Sequence, residues 1–247
     1  MLSRQPVDLE HKVAIVTGGG TGIGRAVALD LARFGARVVV CGRRKDRLDE
    51  VVGAVLAGGG EGLAVPADVS AETDVNDVVR KAIEAYGQID ILVNNAGVSD
   101  GGLIHEITPD TWDRMMATNL RGPFLMTRAV LPYMRQQKSG HVINISSESG
   151  IEHYQGDASY GTSKHALNAL SEYTQRENQD WNIRVNTICP GMVVTEMTEN
   201  EPGLVYERCL YPEDISDLVV FLLTRRINIK IGTPVLIQTM LDPWKKE

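Results

Sequence analysis

Residues 17–24 read Thr17-Gly18-Gly19-Gly20-Thr21-Gly22-Ile23-Gly24. They stand between an apolar, β-branched run at 12–17 and a stretch of helical apolar spacing that begins near Arg25. Glycines at a strand-to-helix junction let the backbone turn sharply and approach a pyrophosphate, whose charge is met by the free N–H groups of the helix start. A merely flexible loop is also glycine-rich, but it has no reason to fall between the first strand and the first helix. The placement therefore predicts a nucleotide site. The spacing is Gly-x-x-x-Gly-x-Gly, not the Gly-x-Gly-x-x-Gly of the longer dehydrogenases.

Working outward from this loop, further strand-like runs fall at 37–41, 63–66, 89–94, 141–146, 184–189 and 234–238. Val38-Val39-Val40 and Ile91-Leu92-Val93 are continuously apolar, as strands become when helices cover both sheet faces. Apolar spacing near 3.6 predicts helices over 75–86, 112–134, 163–178 and 215–224. Thr73, Thr108 and Ser159 are candidate N-caps, with Pro109 at a first helical position. Strand and helix alternate without a linker, repeat or low-complexity segment. The expectation is an α/β fold, a single doubly wound Rossmann-like domain over 1–247, with a seven-stranded, mainly parallel sheet.

Composition narrows the function classes. A length of 247 residues allows a large single core, and 43% hydrophobic with 23% charged residues is a globular balance. A net charge of −7 argues against nucleic-acid binding, which needs a concentrated basic face. No run approaches the roughly 18 apolar residues of a membrane helix. The stretch from Met1 to His11 carries no apolar signal region. Cys41, Cys189 and Cys209 are few, odd in number and widely spaced, which fits a reducing compartment. The expected address is cytoplasmic. The five histidines, His11, His105, His141, His153 and His165, lack ligand spacing, so no metal site is expected.

Further motifs follow the glycine loop in order. They are Asp68-Val69, Asn94-Asn95-Ala96-Gly97, Asn119, Ser147, Tyr160-x-x-x-Lys164, and Pro190-Gly191 followed by Thr195. Taken together with the loop, this series resembles the short-chain dehydrogenase/reductase family across roughly residues 9–238. The resemblance implies a nicotinamide cofactor bound by Gly18, Thr21, Gly22, Ile23, Gly24, Arg43, Asp68, Val69, Asn95, Ala96, Gly97, Tyr160, Lys164, Pro190, Gly191, Val193 and Thr195. It implies catalysis by Asn119, Ser147, Tyr160 and Lys164, with Asn119 supporting a water that links the lysine to solvent.

The chemistry of those residues agrees. Reducing a ketone requires a proton on oxygen as well as a hydride on carbon. Tyr160 and Lys164 are four apart and share a helix face. A lysine cation favours phenolate, and bringing a phenol from about 10 to about 7 takes roughly 4 kcal/mol, expected from the lysine and the cofactor's positive nicotinamide jointly. Ser147, thirteen residues earlier, is placed to hydrogen-bond the substrate oxygen. A catalytically idle, cofactor-binding protein of the same fold would be expected to lack part of this set.

Finer expectations rest on departures from the family pattern. Gly42 takes the place where NAD-preferring members carry an acid, and Arg43, Arg44 and Lys45 follow it, so NADP(H) is expected over NAD(H). The resemblance also implies pairing through the helices that carry Asn119 and Tyr160, and often through the C-terminal strand. A homodimer or homotetramer is therefore expected, with Ala166, Leu167, Ala169 and Leu170 available for such packing. Glu148, His153 and Tyr154 fall where the family shapes its substrate pocket. Cys189 reads as a small buried hydrophobe, and Met115 and Met116 as core helix residues. Only sixteen residues, polar and acidic, separate Thr195 from Pro212, where relatives commonly carry a longer helical lid. The last strand runs into Gln238-Thr239-Met240 rather than a double glycine, and Pro243-Trp244 lies beyond it. These departures favour a small-molecule carbonyl or alcohol substrate and a broad carbonyl reductase over a 3-oxoacyl-[acyl-carrier-protein] reductase, the alternative.

Overall fold

In the computed structural model, which describes residues 8–245, seven strands form one sheet in the order β3-β2-β1-β4-β5-β6-β7. They are β1 (Val13–Thr17), β2 (Arg37–Gly42), β3 (Gly62–Pro66), β4 (Ile91–Asn94), β5 (Gly140–Ile145), β6 (Ile183–Pro190) and β7 (Val235–Ile237). Every neighbouring pair is parallel. Parallel neighbours need crossovers, and helices supply them: α1 (Gly22–Arg33), α2 (Lys45–Ala57), α3 (Glu72–Tyr86), α4 (Pro109–Met116), α5 (Gly122–Gln137), α6 (Ala158–Asn178) and α7 (Pro212–Leu223). The expected Rossmann-like domain is what forms.

Because each central strand is covered twice, two cores result. One packs Val27, Leu31, Leu48, Val51 and Val219, from α1, α2 and α7, under one sheet face. The other packs Val75, Val79, Met126 and Val130, from α3 and α5, under the opposite face. Strand order reverses between β1 and β4, and an open α/β sheet leaves its ligand crevice at that switch point, beyond the strand C-termini.

The local expectations divide. Thr108 caps α4, its side chain accepting from the Thr111 N–H at 3.1 Å. Thr73 and Ser159 are not caps. Helix α3 starts at Glu72 behind Ala71, and α6 starts at Ala158 behind Asp157, while the Ser159 hydroxyl donates to Asp100 O at 3.1 Å. The stretch 112–134 is not one uniform α-helix: α4 and α5 are joined by a π turn, Ala117–Arg121. Cys41, Cys189 and Cys209 are free and buried. Met115 is core, whereas Met116 is only half-buried. Among the described residues no helix is long and apolar enough to cross a membrane, and no group of His, Cys, Asp and Glu has the geometry to hold a metal. Most of the N-terminal stretch read for a targeting signal, residues 1–7, lies outside the described residues.

Candidate active site

The glycine loop is held from beneath by its neighbour strand. The Thr17 hydroxyl accepts the N–H groups of Asn95 and Ala96 at 2.9 and 3.0 Å, while the Asn95 amide donates to the carbonyls of Thr17 and Gly18 at 3.0 and 3.2 Å. Helix α1 then packs so closely that a Cβ on Gly24 would collide with the Gly18 carbonyl and the Asn95 amide. Thr21, at the N-cap of α1, makes no side-chain cap bond, so the first N–H groups of that helix face the groove. Here lies a groove of about 620 Å³, within the range of small-ligand and cofactor sites. Its size, the glycine approach and the open helix start fit a dinucleotide.

Gly18, Thr21, Gly22, Ile23, Arg43, Asp68, Val69, Asn95, Ala96, Gly97, Tyr160, Lys164 and Thr195 all line this groove. Gly24, Asn119, Ser147, Pro190, Gly191 and Val193 do not form its wall. Gly191 is fixed by its N–H to Ile237 O at 2.9 Å, and Val193 O accepts from the Thr198 hydroxyl at 2.6 Å. The Asp68 carboxylate accepts from the hydroxyl and N–H of Ser70 at 2.7 and 2.9 Å. Those bonds, with Arg43 nearby, hold it below the usual carboxylate range.

At the other end of the groove, α6 delivers Tyr160 and Lys164 one turn apart. The Lys164 ammonium is buried, donates to Ile145 O at 3.0 Å and stands 5.4 Å from the centre of the Tyr160 ring. The Ser147 hydroxyl accepts the Ser149 N–H at 3.1 Å and stands near enough to the Tyr160 phenol to pull its pKa down. Asn119, on the π turn, clamps Val98 through both its N–H and its carbonyl, each at 2.9 Å, and reaches Ser163 of α6 at 3.1 Å. A Cβ on Gly97 would stand 3.5 Å from Asn119 Oδ1 and 3.8 Å from Lys164 Nζ, which marks where the two side chains converge. A π turn inside a helix is a frequent companion of functional sites, and here it aims Asn119 inward.

In the chain alone, burial pushes Tyr160 up to about 12, with Ser147 pulling the other way and Asp157, Cys189 and Glu148 adding to the rise. Burial also pushes Lys164 down to about 8. Desolvation is the largest cause of both shifts, and the positive nicotinamide that the lysine was expected to act with is a charge the bound cofactor brings.

The basic run also divides. Arg43 and Arg44 line the groove, but Lys45 turns away to Asp49 at 2.5 Å. Arg47 and Glu196 line it too and were not among the expected site residues. The helical spacing from Arg43 to Arg47 was the available signal for the first, and nothing local marks Glu196.

The outer face of α4, the π turn and α5 carries a second, apolar groove of about 520 Å³, lined by Met116, Leu120, Phe124 and Leu170 among others. Of the α6 residues expected on a pairing face, Leu167 is buried in the chain's own interior, while Ala169 is exposed.

A doubly wound sheet with a glycine-loop groove and a Ser, Tyr and Lys set at its far end defines a nicotinamide-dependent oxidoreductase acting on alcohol and carbonyl groups. Residues 12–203 match the family model described as short chain dehydrogenase, and the chain belongs to that family. An oxidoreductase of Staphylococcus epidermidis described as uncharacterized is 35% identical over 224 residues, covering 91% of this chain and 96% of that protein. The 3-oxoacyl-[acyl-carrier-protein] reductase of a Synechocystis species is 36% identical over 223 residues, covering 87% of this chain and 90% of its own length. The crystal structure of levodione reductase superposes with a TM-score of 0.88 at 32% identity, covering 93% of this chain and 96% of that one.

Proposed function

We propose that this chain is a carbonyl reductase of broad specificity that prefers NADP(H). The observation that carries the reading is the convergence of Ser147, Tyr160 and Lys164 at one end of the glycine-loop groove. Bound in that groove, the nicotinamide cofactor supplies or takes up the hydride.

The protein's own residues manage the proton. Tyr160, held neutral by burial, gives its phenolic proton to the substrate oxygen during reduction. Ser147 holds that oxygen beside the phenol. Lys164 stabilises the phenolate left behind, and Asn119 fixes the lysine's surroundings through Val98 and Ser163. Gly18, Thr21, Gly22 and Ile23 form the phosphate end, with Gly24 keeping the loop tight against α1. Asp68 and Val69 form the adenine side, Asn95, Ala96 and Gly97 the middle, and Thr195 the nicotinamide side behind Pro190, Gly191 and Val193. Arg43 supplies the charge for a 2′-phosphate, and no acid stands at Gly42 to repel it.

The whole chain acts as one domain in the cytoplasm, with no nucleic-acid or membrane partner, and pairs with a second copy through the apolar groove of Met116, Leu120 and Phe124. The acyl-carrier reductase reading draws on the Synechocystis relative and stands second, because only sixteen residues separate Thr195 from Pro212 and the last strand runs into Gln238-Thr239-Met240.

The test is NADPH consumption with a panel of ketones, aldehydes, diketones and an acyl-carrier thioester, run beside Tyr160→Phe. Turnover of several carbonyls that falls at least about a thousandfold in the variant is expected. Wild-type preference for NADH, exclusive use of the thioester, or a variant as active as wild type each contradicts a named part of the reading.

A further inference from the structure

The residue directly after Ser147 is a carboxylate, and it is held in place. Glu148 opens a 3-10 turn, Glu148–Gly150, whose preceding residue is Ser147 itself. Its Oε2 accepts from the Gln238 side chain, just past the end of β7, at 2.5 Å. Burial raises the pKa of the Tyr154 phenol, which stands close enough for the Glu148 charge to add to the rise. Gly191, after β6, leaves room for this pair: a Cβ there would come within 3.1 Å of Glu148 Oε2 and 3.3 Å of Gln238 Cγ. Three separate elements thus meet around one half-buried carboxylate beside the Ser147 and Tyr160 hydroxyls.

The charges around it do not neutralise it. Its hydrogen-bond partner, the Gln238 amide, is uncharged. Asp157 is a second acid acting on the Tyr160 phenol, and Lys164, 5.4 Å from the centre of the phenol ring, is the positive charge set against the two. A carboxylate has about four acceptor sites, and one donor leaves capacity for more.

We propose that Glu148 determines substrate choice: it accepts a hydrogen bond from a hydroxyl or ammonium group carried next to the reacting carbonyl, and it excludes keto acids. This rests on Ser147 and Tyr160 holding the substrate oxygen, as in the function proposed above. A ligand carboxylate placed against Glu148 meets a like charge across a half-exposed site, an effect of about tenfold in affinity. A donor placed there replaces water that the carboxylate otherwise keeps, and gains a charge-assisted bond.

Three phenyl ketones of similar size separate the effects: 2-hydroxyacetophenone carries the donor, propiophenone carries neither group, and benzoylformate carries the anion. Binding of each is measured by calorimetry to wild type and to Glu148→Gln, both saturated with oxidised cofactor so that no reduction can occur. Thermal melting checks that the variant is folded. In parallel, kcat/KM is measured with reduced cofactor.

Wild type is expected to bind 2-hydroxyacetophenone at least fivefold more tightly than propiophenone and at least tenfold more tightly than benzoylformate. Both gaps should shrink severalfold in Glu148→Gln, with kcat/KM following. A wild type that binds 2-hydroxyacetophenone no better than propiophenone overturns the proposal, as do gaps of equal size in the two proteins. Selective binding without turnover of any panel carbonyl leaves the role of Glu148 intact and counts against the carbonyl reductase instead.

Discussion

The Arg44 guanidinium bonds at once to the Thr21 hydroxyl of the glycine loop, at 3.1 Å, and to the Glu196 carboxylate, at 2.8 Å. It thereby joins the start of α2 to the segment that follows β6. Both side chains are about half exposed, so the ion pair itself is worth about 0.2–1 kcal/mol. Its consequence for cofactor choice is larger in kind than in size: the pair occupies one of the arginines available to a 2′-phosphate.

Glu196→Gln is therefore expected to lower the KM for NADPH by up to about fivefold, the ceiling set by that pair energy. The KM for NADH should change by less than about twofold, because no phosphate meets Arg44 there. Arg43→Ala moves the other way, raising the KM for NADPH by at least about tenfold while sparing NADH. Steady-state kinetics with both cofactors reads all four numbers. An Arg43→Ala enzyme with an unchanged NADPH-to-NADH ratio is inconsistent with this assignment.

How much of this was legible in the sequence depended on the range of the interaction. The parallel sheet came from runs such as Val38-Val39-Val40, whose apolarity is a property of the strand alone, and the groove came from glycines whose spacing is local. The π turn was not legible. Residues 112–134 keep a helical apolar rhythm throughout, and the break is carried by Asn119 bonding to Val98 across the fold. The two misplaced caps fail for the same reason. Ser159 donates to Asp100 instead of capping its own helix, and Asp74, beside Thr73, accepts the Asp68 N–H. Arg44 and Glu196 are 152 residues apart, a distance no local pattern spans. For Tyr160 the sequence gives the charge of Lys164 four residues on, but not the burial that raises the phenol in the chain alone.

The pH dependence should expose that burial. In reduction the phenol must carry its proton, and with Tyr160 near 12 it does so throughout the neutral range. Lys164, near 8, is charged below that pH and loses its charge above it. Reduction is therefore expected to be level below pH 8 and to decline above it, approaching tenfold per pH unit. Alcohol oxidation needs phenolate and should instead rise with pH from the neutral range upward. Initial rates of both directions between pH 6 and 10 test this. A reduction rate still level at the top of that range contradicts the role given to Lys164.

A second titration bears on stability rather than rate. His141 is buried on β5, its Nε2 2.9 Å from Asn186 Oδ1 and its Nδ1 without a partner among the described residues. Burial, with Arg184 nearby, pushes it down from 6.5 to about 3. The folded value is depressed, so as pH falls below 6.5 the unfolded chain takes up the proton and the folded one does not until about 3. Stability contributed by the neutral ring is complete above 6.5 and is lost across that window. Between pH 7 and 5 the loss from this one residue is about 2 kcal/mol. Urea unfolding at the two pH values should show that difference in wild type and a much smaller one in His141→Gln. Equal pH sensitivity in both would place the acid lability elsewhere.

Between Thr195 and Pro212 the segment forms one 3-10 turn, Tyr206–Arg208, and is tied at both ends. Arg44 holds Glu196, Leu210 donates to Met192 O at 2.8 Å and accepts from the Val194 N–H at 2.9 Å, and the Tyr206 hydroxyl donates to Glu199 O at 2.5 Å. The C-terminal tail braces its middle. Val205 N–H donates to Pro243 O at 2.8 Å, Arg208 to Lys245 O at 2.6 Å, and the Thr239 hydroxyl to Arg208 O at 2.7 Å. So the tail on either side of the exposed Trp244 is tied to this segment through the Pro243 and Lys245 carbonyls. A short cover braced from outside has its ordering paid before substrate arrives, and removing the brace moves that cost into binding. Truncation after Gln238 is expected to raise KM for carbonyl substrates by about fivefold to twentyfold, the equivalent of about 1–2 kcal/mol of ordering. The KM for NADPH should stay within about twofold, since the glycine loop and Arg43 are untouched. Kinetics on the truncated chain, with its folding confirmed by circular dichroism, decides the point: a KM for carbonyls that does not move shows that the tail braces nothing the substrate feels.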